Sequence, residues 1–550
     1  MPEMRLLLFL VFAVFTAAAQ APEPQPVKPA APSPLIFSSD FLRDIRAQDI
    51  EALSAAIRLE LQADLKAPQR EPVLTPLIRA TEQSLRANNN NVAWIFGSRL
   101  LAFFQGVQWG PHLDQAISLD FALDRRVLPP GSLLHARLER LFRTPSAPDS
   151  TVRIQFTLSD SAGKLLWQSD PLPIPPENSI EIPIPARTLA PGEYTLAYSF
   201  FTAPGKPLLS SVRTFRIDPT WRARESALDA KARELILDSA INSSPSSQSA
   251  FQFIQWTIQA MALFESGQPI GGSPDPHPIV ESWAYRKSPR FWSAPFSEST
   301  IRQAEAFAAA LQSGANPLDG QPDLRLAFRS SADQSLRTFR LYLPASLPAG
   351  EPVPLVVLLH GFAGDESSWL DRLPGSGELV RRLASERRFA VLAPSARSHY
   401  SRFDGPDAAD LEQLKSIASR IRPIDPDRIA LIGHGPAAFA AVNAALASSR
   451  EWPVAVGIAG IPTALPAAAK GSTPRLLFEY AAGDTLFAAS EARKWAYLLQ
   501  KRIPGFQAHE IPDVDNAAAP AASIERAIAF FLDPPPAPAA AKPPAQQKLK

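Results

Sequence analysis

Apolar residues fall on every second position in four stretches of this chain. Ile117, Leu119, Phe121 and Leu123 form the first, and Val152, Ile154, Phe156 and Leu158 the second. Ile180, Ile182 and Ile184 form the third, and Tyr194, Leu196, Tyr198 and Phe200 the fourth. A period of two turns one face of each stretch inward and the other outward. Turn signals separate them: PPG at Pro129, SDSAGK at Ser159 and LAPGEY at Leu189. Short half-buried strands joined by turns predict an all-β sandwich over residues 112–218. On both sides the period lengthens. Leu42, Ile45, Leu53, Ile57 and Leu61 recur at helical spacings, the asparagines at 88–91 interrupt, and residues 92–104 resume. This predicts an α-helical N-terminal region over 36–108. Residues 220–314 predict a connecting region, with helices over 223–240 and 248–264 and an irregular loop packed down by Trp283, Trp292 and Phe296.

From Asp323 strands and helices alternate. The strands in VPLVVLLHG, RFAVLAPSAR, DRIALIG, PVAVGIAG and PRLLFEYAAGD are unbroken apolar runs, and AADLEQLKSIASRI between two of them is amphipathic. Strands that are apolar throughout belong to a mostly parallel sheet with helices on both faces. The chain is therefore expected to be multidomain, with this α/β domain over 323–533.

Composition sharpens the picture in three places. Lys+Arg number 55 against 54 Asp+Glu, a balance that gives no support for a nucleic-acid partner. There is no cysteine, which excludes disulfides, thiolate nucleophiles and cysteine metal sites. Proline is abundant, 57 of 550 residues, and concentrates in a linker over 20–35 and a tail over 534–550. The tail carries lysines that read as solvated. At the start, Arg5 precedes an apolar run from Leu6 to Phe15, and Ala17, Ala18 and Ala19 supply a cleavage pattern. Residues 1–19 thus read as a signal peptide, and the expectation is an exported protein, periplasmic or extracellular. No later segment reaches the eighteen apolar residues a membrane span would need.

Three motifs carry a resemblance: PLVVLLHGFAGDESSW, IDPDRIALIGHG and LLFEYAAGDTLF. Together they resemble the α/β-hydrolase superfamily, in its group of secreted esterases and prolyl-oligopeptidase-like enzymes. Members commonly carry an additional β-module, and the sandwich over 112–218 looks like an immunoglobulin-like one. The resemblance implies a nucleophilic serine in G-x-S-x-G at a sharp strand-to-helix turn, two backbone oxyanion donors, an acid and a histidine. Gly433 matches the first glycine of the turn and His434 the variable residue. Gly435 takes the serine's place, and with no Oγ it forms no acyl-enzyme. Pro436 follows and has no N–H to donate. Loss of one such donor costs about 2.7–4 kcal/mol of transition-state stabilisation. Ala437 replaces the last glycine. Asp484 matches the acid. Asp515 or Asn516 stands where the histidine is expected, Asp515 being the position assigned. The histidine nearest in sequence is His509, on the preceding strand.

The site residues expected from this reading are therefore the vestigial positions Gly435, Asp484 and Asp515. A pocket is expected beside them, bordered by His360, Gly361, Phe362, His434, Pro436 and His509. Ser395 and Ser398 near His399 read as chance neighbours. Asp404, Asp407 and Asp410, like Asp365 and Glu366, read as solvated acids, with no spacing for a metal and no cofactor. The expected role is binding of a small molecule or a cell-envelope protein. The rival is an active carboxylesterase or serine peptidase with a non-standard or misaligned site. A third reading, adhesion through the sandwich, draws on architecture alone.

Overall fold

Eight strands of the C-terminal third form one sheet in a computed structural model of the chain. The residues described are 41–45, 49–50, 53–54, 56–57, 71–87, 89–144, 151–174, 178–203, 206–267, 270, 296–362, 364–397, 403–461, 474–484 and 487–533. The expected signal peptide, linker and tail, with Trp283, Trp292, Ser398 and His399, lie outside them.

The chain runs through α1 (Glu71–Arg86), α2 (Asn90–Phe104) and α3 (Pro111–Ile117) into β1 (Leu119–Leu123), β2 (Val127–Leu128), β3 (Leu134–Arg140) and β4 (Arg153–Asp160). Next come β5 (Leu165–Gln168), β6 (Leu172–Pro173), β7 (Ser179–Ile184), β8 (Gly192–Ala203) and β9 (Lys206–Ile217). Helices α4 (Trp221–Leu235), α5 (Ser239–Ser243), α6 (Pro245–Glu265) and α7 (Glu298–Gln312) follow. The last part is β10 (Asp323–Arg329), β11 (Leu336–Tyr342), β12 (Val353–Leu359), α8 (Ser376–Arg387), β13 (Ala390–Pro394), α9 (Pro406–Ile421), β14 (Ile424–His434), α10 (Ala437–Ala447), β15 (Val454–Ile458), β16 (Arg475–Ala481), α11 (Ala489–Arg502), β17 (Gln507–Ile511) and α12 (Ala519–Leu532).

Strands β1–β9 make two sheets, β1-β3-β7 and β2-β9-β8-β4-β5. Their inward rings meet. Phe121 of β1 stacks on Tyr198 of β8 at 5.2 Å and lies 5.8 Å from Phe156 of β4. One boundary differs from the sequence pattern: Ile117 ends helix α3 instead of starting a strand. Pro111 is pre-set for the first helical turn, and the helix buries Leu113, Ala116 and Ile117 together. The expected helix over 223–240 also breaks, ending at Leu235, and Asp238 caps a separate short helix by accepting from the Ala240 N–H.

The large sheet has the order β10-β11-β13-β12-β14-β15-β16-β17, and β12 through β17 are parallel. This is the mixed sheet expected of the α/β-hydrolase resemblance. Every residue of β12 is buried, as a strand covered on both faces must be. The register aligns the strand ends: Leu359 pairs with Gly433, Gly433 with Gly457, and Ile458 with Glu479. His360, His434 and Ala459 thus emerge at one edge, the carboxyl edge where ligands of open α/β sheets bind.

Helices α6 and α7 pack on this sheet. Arg325 of β10 lies 5.6 Å from the Trp256 ring centroid and donates to Thr300 of α7 at 2.8 Å. The same guanidinium holds Glu366 in the loop after β12. On the other side, Glu298 of α7 takes Arg224 of α4 at 2.8 Å and Arg216 of β9 at 3.1 Å.

Candidate functional site

The turn from β14 into α10 is built by its glycines. Gly435 has φ +57, the left-handed region that a side chain resists and glycine occupies freely. Its N–H donates to Ile458 O at 2.9 Å, and its carbonyl accepts from Ala438 N at 3.0 Å. A Cβ on Gly433 would meet Ala437 O at 2.1 Å, and one on Gly460 would meet Gly435 O at 2.0 Å. Strand and helix therefore touch backbone to backbone. At Gly435 itself a Cβ finds only ordinary contacts, Gly361 Cα at 3.7 Å and the Phe487 ring at 3.8 Å. Pro436, at φ −58, opens α10 in helical conformation and brings no N–H to the turn.

Three elements converge on Asn516. Its side-chain amide donates to Asp484 Oδ2 at 2.8 Å and to Ala459 O at 2.9 Å. Its backbone carbonyl accepts from His434 Nε2 at 3.1 Å. The other Asp484 oxygen accepts from the Phe487 N–H at 2.8 Å. Asn516, and not the Asp515 expected from the sequence, is thus the residue that stands beside the acid. Asp515 turns away and accepts from the Ala518 N–H at 2.9 Å, at the start of α12. Nothing in the local pattern separates the two positions, since either side chain suits a loop before a helix.

The pocket residues divide. His434 is buried with its ring edge-on to Trp369 at 6.2 Å. Its Nε2 carries the proton, because it faces a carbonyl. Burial lowers its pKa from the ordinary value to about 4, and the Asn516 contacts only partly oppose this. His360 is also buried. Its Nε2 accepts from the Ala396 N–H at 3.0 Å, so its Nδ1 donates to Gly361 O at 2.9 Å. Burial again lowers the pKa to about 4. Both rings are neutral packing groups. Gly361 lets the loop pass the His434 ring, which a Cβ would meet at 2.8 Å, and Phe362 is buried beside it. His509 does not join them. It is exposed on edge strand β17, accepts from Arg526 at 2.6 Å and lies 3.9 Å from Glu479.

The acids read as solvated are mostly buried and paired. Glu366 is 1% exposed and bound to Arg325, 41 positions away, and to Thr338. Burial is the largest single influence and pushes its pKa up, but the Arg325 charge and the hydrogen bonds from Arg325, Thr338 and the backbone together outweigh it, and the net shift is down. Its neighbour Asp365 pairs with Arg372 and is raised, by burial first and by Glu366 second. Asp407 and Asp410 are buried against Arg397. Among the described residues no cluster of His, Asp and Glu could hold a metal, and no helix is long and apolar enough to cross a membrane. The sequence reading did not single out Asn516 as the partner of the acid, nor Ala459, whose φ of +48 turns its carbonyl toward that amide, nor Phe487. The pattern AAGDTLF held the one signal available for Phe487, its place three residues after Asp484.

Residues 356–547 match the family model described as the alpha/beta hydrolase family. No curated protein matches the chain. Among solved structures, a fluorophosphonate-binding serine hydrolase of Staphylococcus aureus is similar at 16% identity and TM-score 0.31, over 38% of this chain and 97% of its own. The S-formylglutathione hydrolase of the same organism is similar at 17% identity and TM-score 0.31, over 38% and 98%. A ferulic acid esterase from Anaeromyces mucronatus is similar at 16% identity and TM-score 0.31, over 36% and 87%.

Proposed function

We propose that this chain, whose C-terminal domain has the α/β-hydrolase fold, is an exported protein that has lost serine-hydrolase chemistry and works by binding. The observation that carries this is the set Gly435, Asn516 and Asp484. A hydrolase needs an oxygen nucleophile on the turn, a base to take its proton and an acid to orient the base. Gly435 has no nucleophile to offer. Asn516 holds the acid with a neutral amide, which neither takes up nor releases a proton near pH 7. Pro436 has no N–H with which to bind an oxyanion. His434 is a poor substitute base, since its ring is buried, its unprotonated Nδ1 lies packed against Gly361, and burial lowers its pKa to about 4.

The binding place in this reading is the carboxyl edge of the sheet around Gly361, Phe362 and Gly435, for a small molecule or an envelope partner. The two sheets of 119–217, whose rings interlock, support an immunoglobulin-like accessory module. Arg5, the run from Leu6 to Phe15 and the alanines after it support export.

The test is labelling of the purified protein with a fluorophosphonate probe, alongside hydrolysis of short-chain esters. The expected result is no labelling and no turnover above a heat-denatured control. A labelled serine with turnover would establish the enzyme reading instead, and the labelled position would locate its nucleophile.

A further inference from the structure

Helix α11 packs against the sheet through Ala492, Ala496 and Leu499. Its opposite ridge is Lys494, Tyr497, Leu498 and Lys501, spaced so that all four share one face. A surface helix ordinarily keeps that ridge polar. Here Tyr497 is 56% exposed and Leu498 42% exposed, side by side at its centre. The Lys501 ammonium sits 4.3 Å from the Tyr497 ring centroid. Lys494, bonded to Glu491 at 2.7 Å, flanks the pair on the other side, and Arg502 ends the helix.

We propose that this ridge docks the protein on an anionic phospholipid surface. A phenol ring and an isobutyl group between two lysines match the boundary between headgroups and acyl chains. The apolar groups enter it, and the lysines lay their methylene stems along it while their ammonium groups stay with the phosphates. Tyrosine suits this depth because one end is apolar and the other polar. A soluble polyanion would meet the cations but would gain nothing from Leu498, so the exposed apolar pair selects the membrane. The docking is independent of whether the turn at Gly435 is catalytic.

The experiment is cosedimentation of the full chain with vesicles of phosphatidylglycerol and phosphatidylcholine in equal parts, against phosphatidylcholine alone. Binding to the anionic vesicles only is expected, and high salt should weaken it. Tyr497→Ser/Leu498→Ser and Lys494→Gln/Lys501→Gln should each weaken it by about tenfold. All four positions are on the solvent face, so the unfolding midpoints should match the wild type. Equal binding to both vesicle types, no binding to either, or a Tyr497→Ser/Leu498→Ser variant that binds like the wild type would each overturn the proposal. In the last case, capture of inorganic polyphosphate would identify a purely electrostatic site.

Discussion

Asn516 and Asp484 stand 32 positions apart and meet at 2.8 Å, amide to carboxylate. Where the resemblance implies an imidazole that gains and loses a proton, this chain has a donor that is neutral at every ordinary pH. The same amide also ties Ala459, and the backbone of Asn516 ties His434. The residue is therefore a three-way fastener at the edge of the sheet.

Removing that fastener should be costly. Asn516→Ala leaves a buried carboxylate oxygen and a buried carbonyl each short of a donor, and the expected loss is about 1–3 kcal/mol. Asn516→Asp should cost more at neutral pH, because it sets two carboxylates face to face. One of them then has a raised folded pKa, so stability should return as the pH falls. Urea unfolding of both variants at neutral and acid pH checks this pair of outcomes.

Two glycines two positions apart should both lose stability on change to alanine, by different amounts and for different reasons. At Gly435 the cost is conformational, about 1–2 kcal/mol for a left-handed residue, because space is available. At Gly433 the Cβ runs into the Ala437 carbonyl, and α10 must move off the strand. Its loss should reach about 3 kcal/mol, the upper range for overpacking. Thermal unfolding of the two variants gives the order; a larger loss at Gly435 would contradict the packing described for the turn.

Arg325→Ala would leave Glu366 buried without its cation, an expected loss of about 3–5 kcal/mol. Adding Glu366→Gln to that variant removes the stranded charge and should recover part of the loss. A double-mutant cycle by chemical denaturation measures the coupling.

The two buried histidines make stability depend on pH. In the unfolded chain each ring takes a proton near 6.5, and in the fold only near 4. Their contribution is complete above pH 6.5 and is lost as the pH falls toward 4, by roughly 2 kcal/mol each at pH 5. Asp365 and Asp407, with raised folded values, work in the opposite direction at the acid end. The comparison to make is therefore between the wild type and His434→Gln, whose denaturation midpoint should depend less on pH between 7 and 5.

Much of the hydrolase sheet was legible because its strands are unbroken apolar runs, and LIGHGPAAF marked the turn by position even without its serine. Asp484 was legible from AAGD for the same reason. The choice between Asp515 and Asn516 was not, because a loop has no periodicity to set its register. The burial of Glu366 was not legible either: its cation lies 41 positions earlier, on β10, and no local pattern links the two. Ile117 was misplaced because its apolar alternation with Leu119 continues across a helix end.

The clamp formed by Arg325, Thr300 and Trp256 bears on where the chain can be divided. By topology the α/β unit begins at Asp323, and a fragment cut there would hold all eight strands. It would also lose Trp256 and Thr300 from one side of Arg325, and with them part of the cover over Glu366. The boundary drawn from strand and helix periods is a boundary of connectivity, while the packing around Arg325 extends back to α7 and α6.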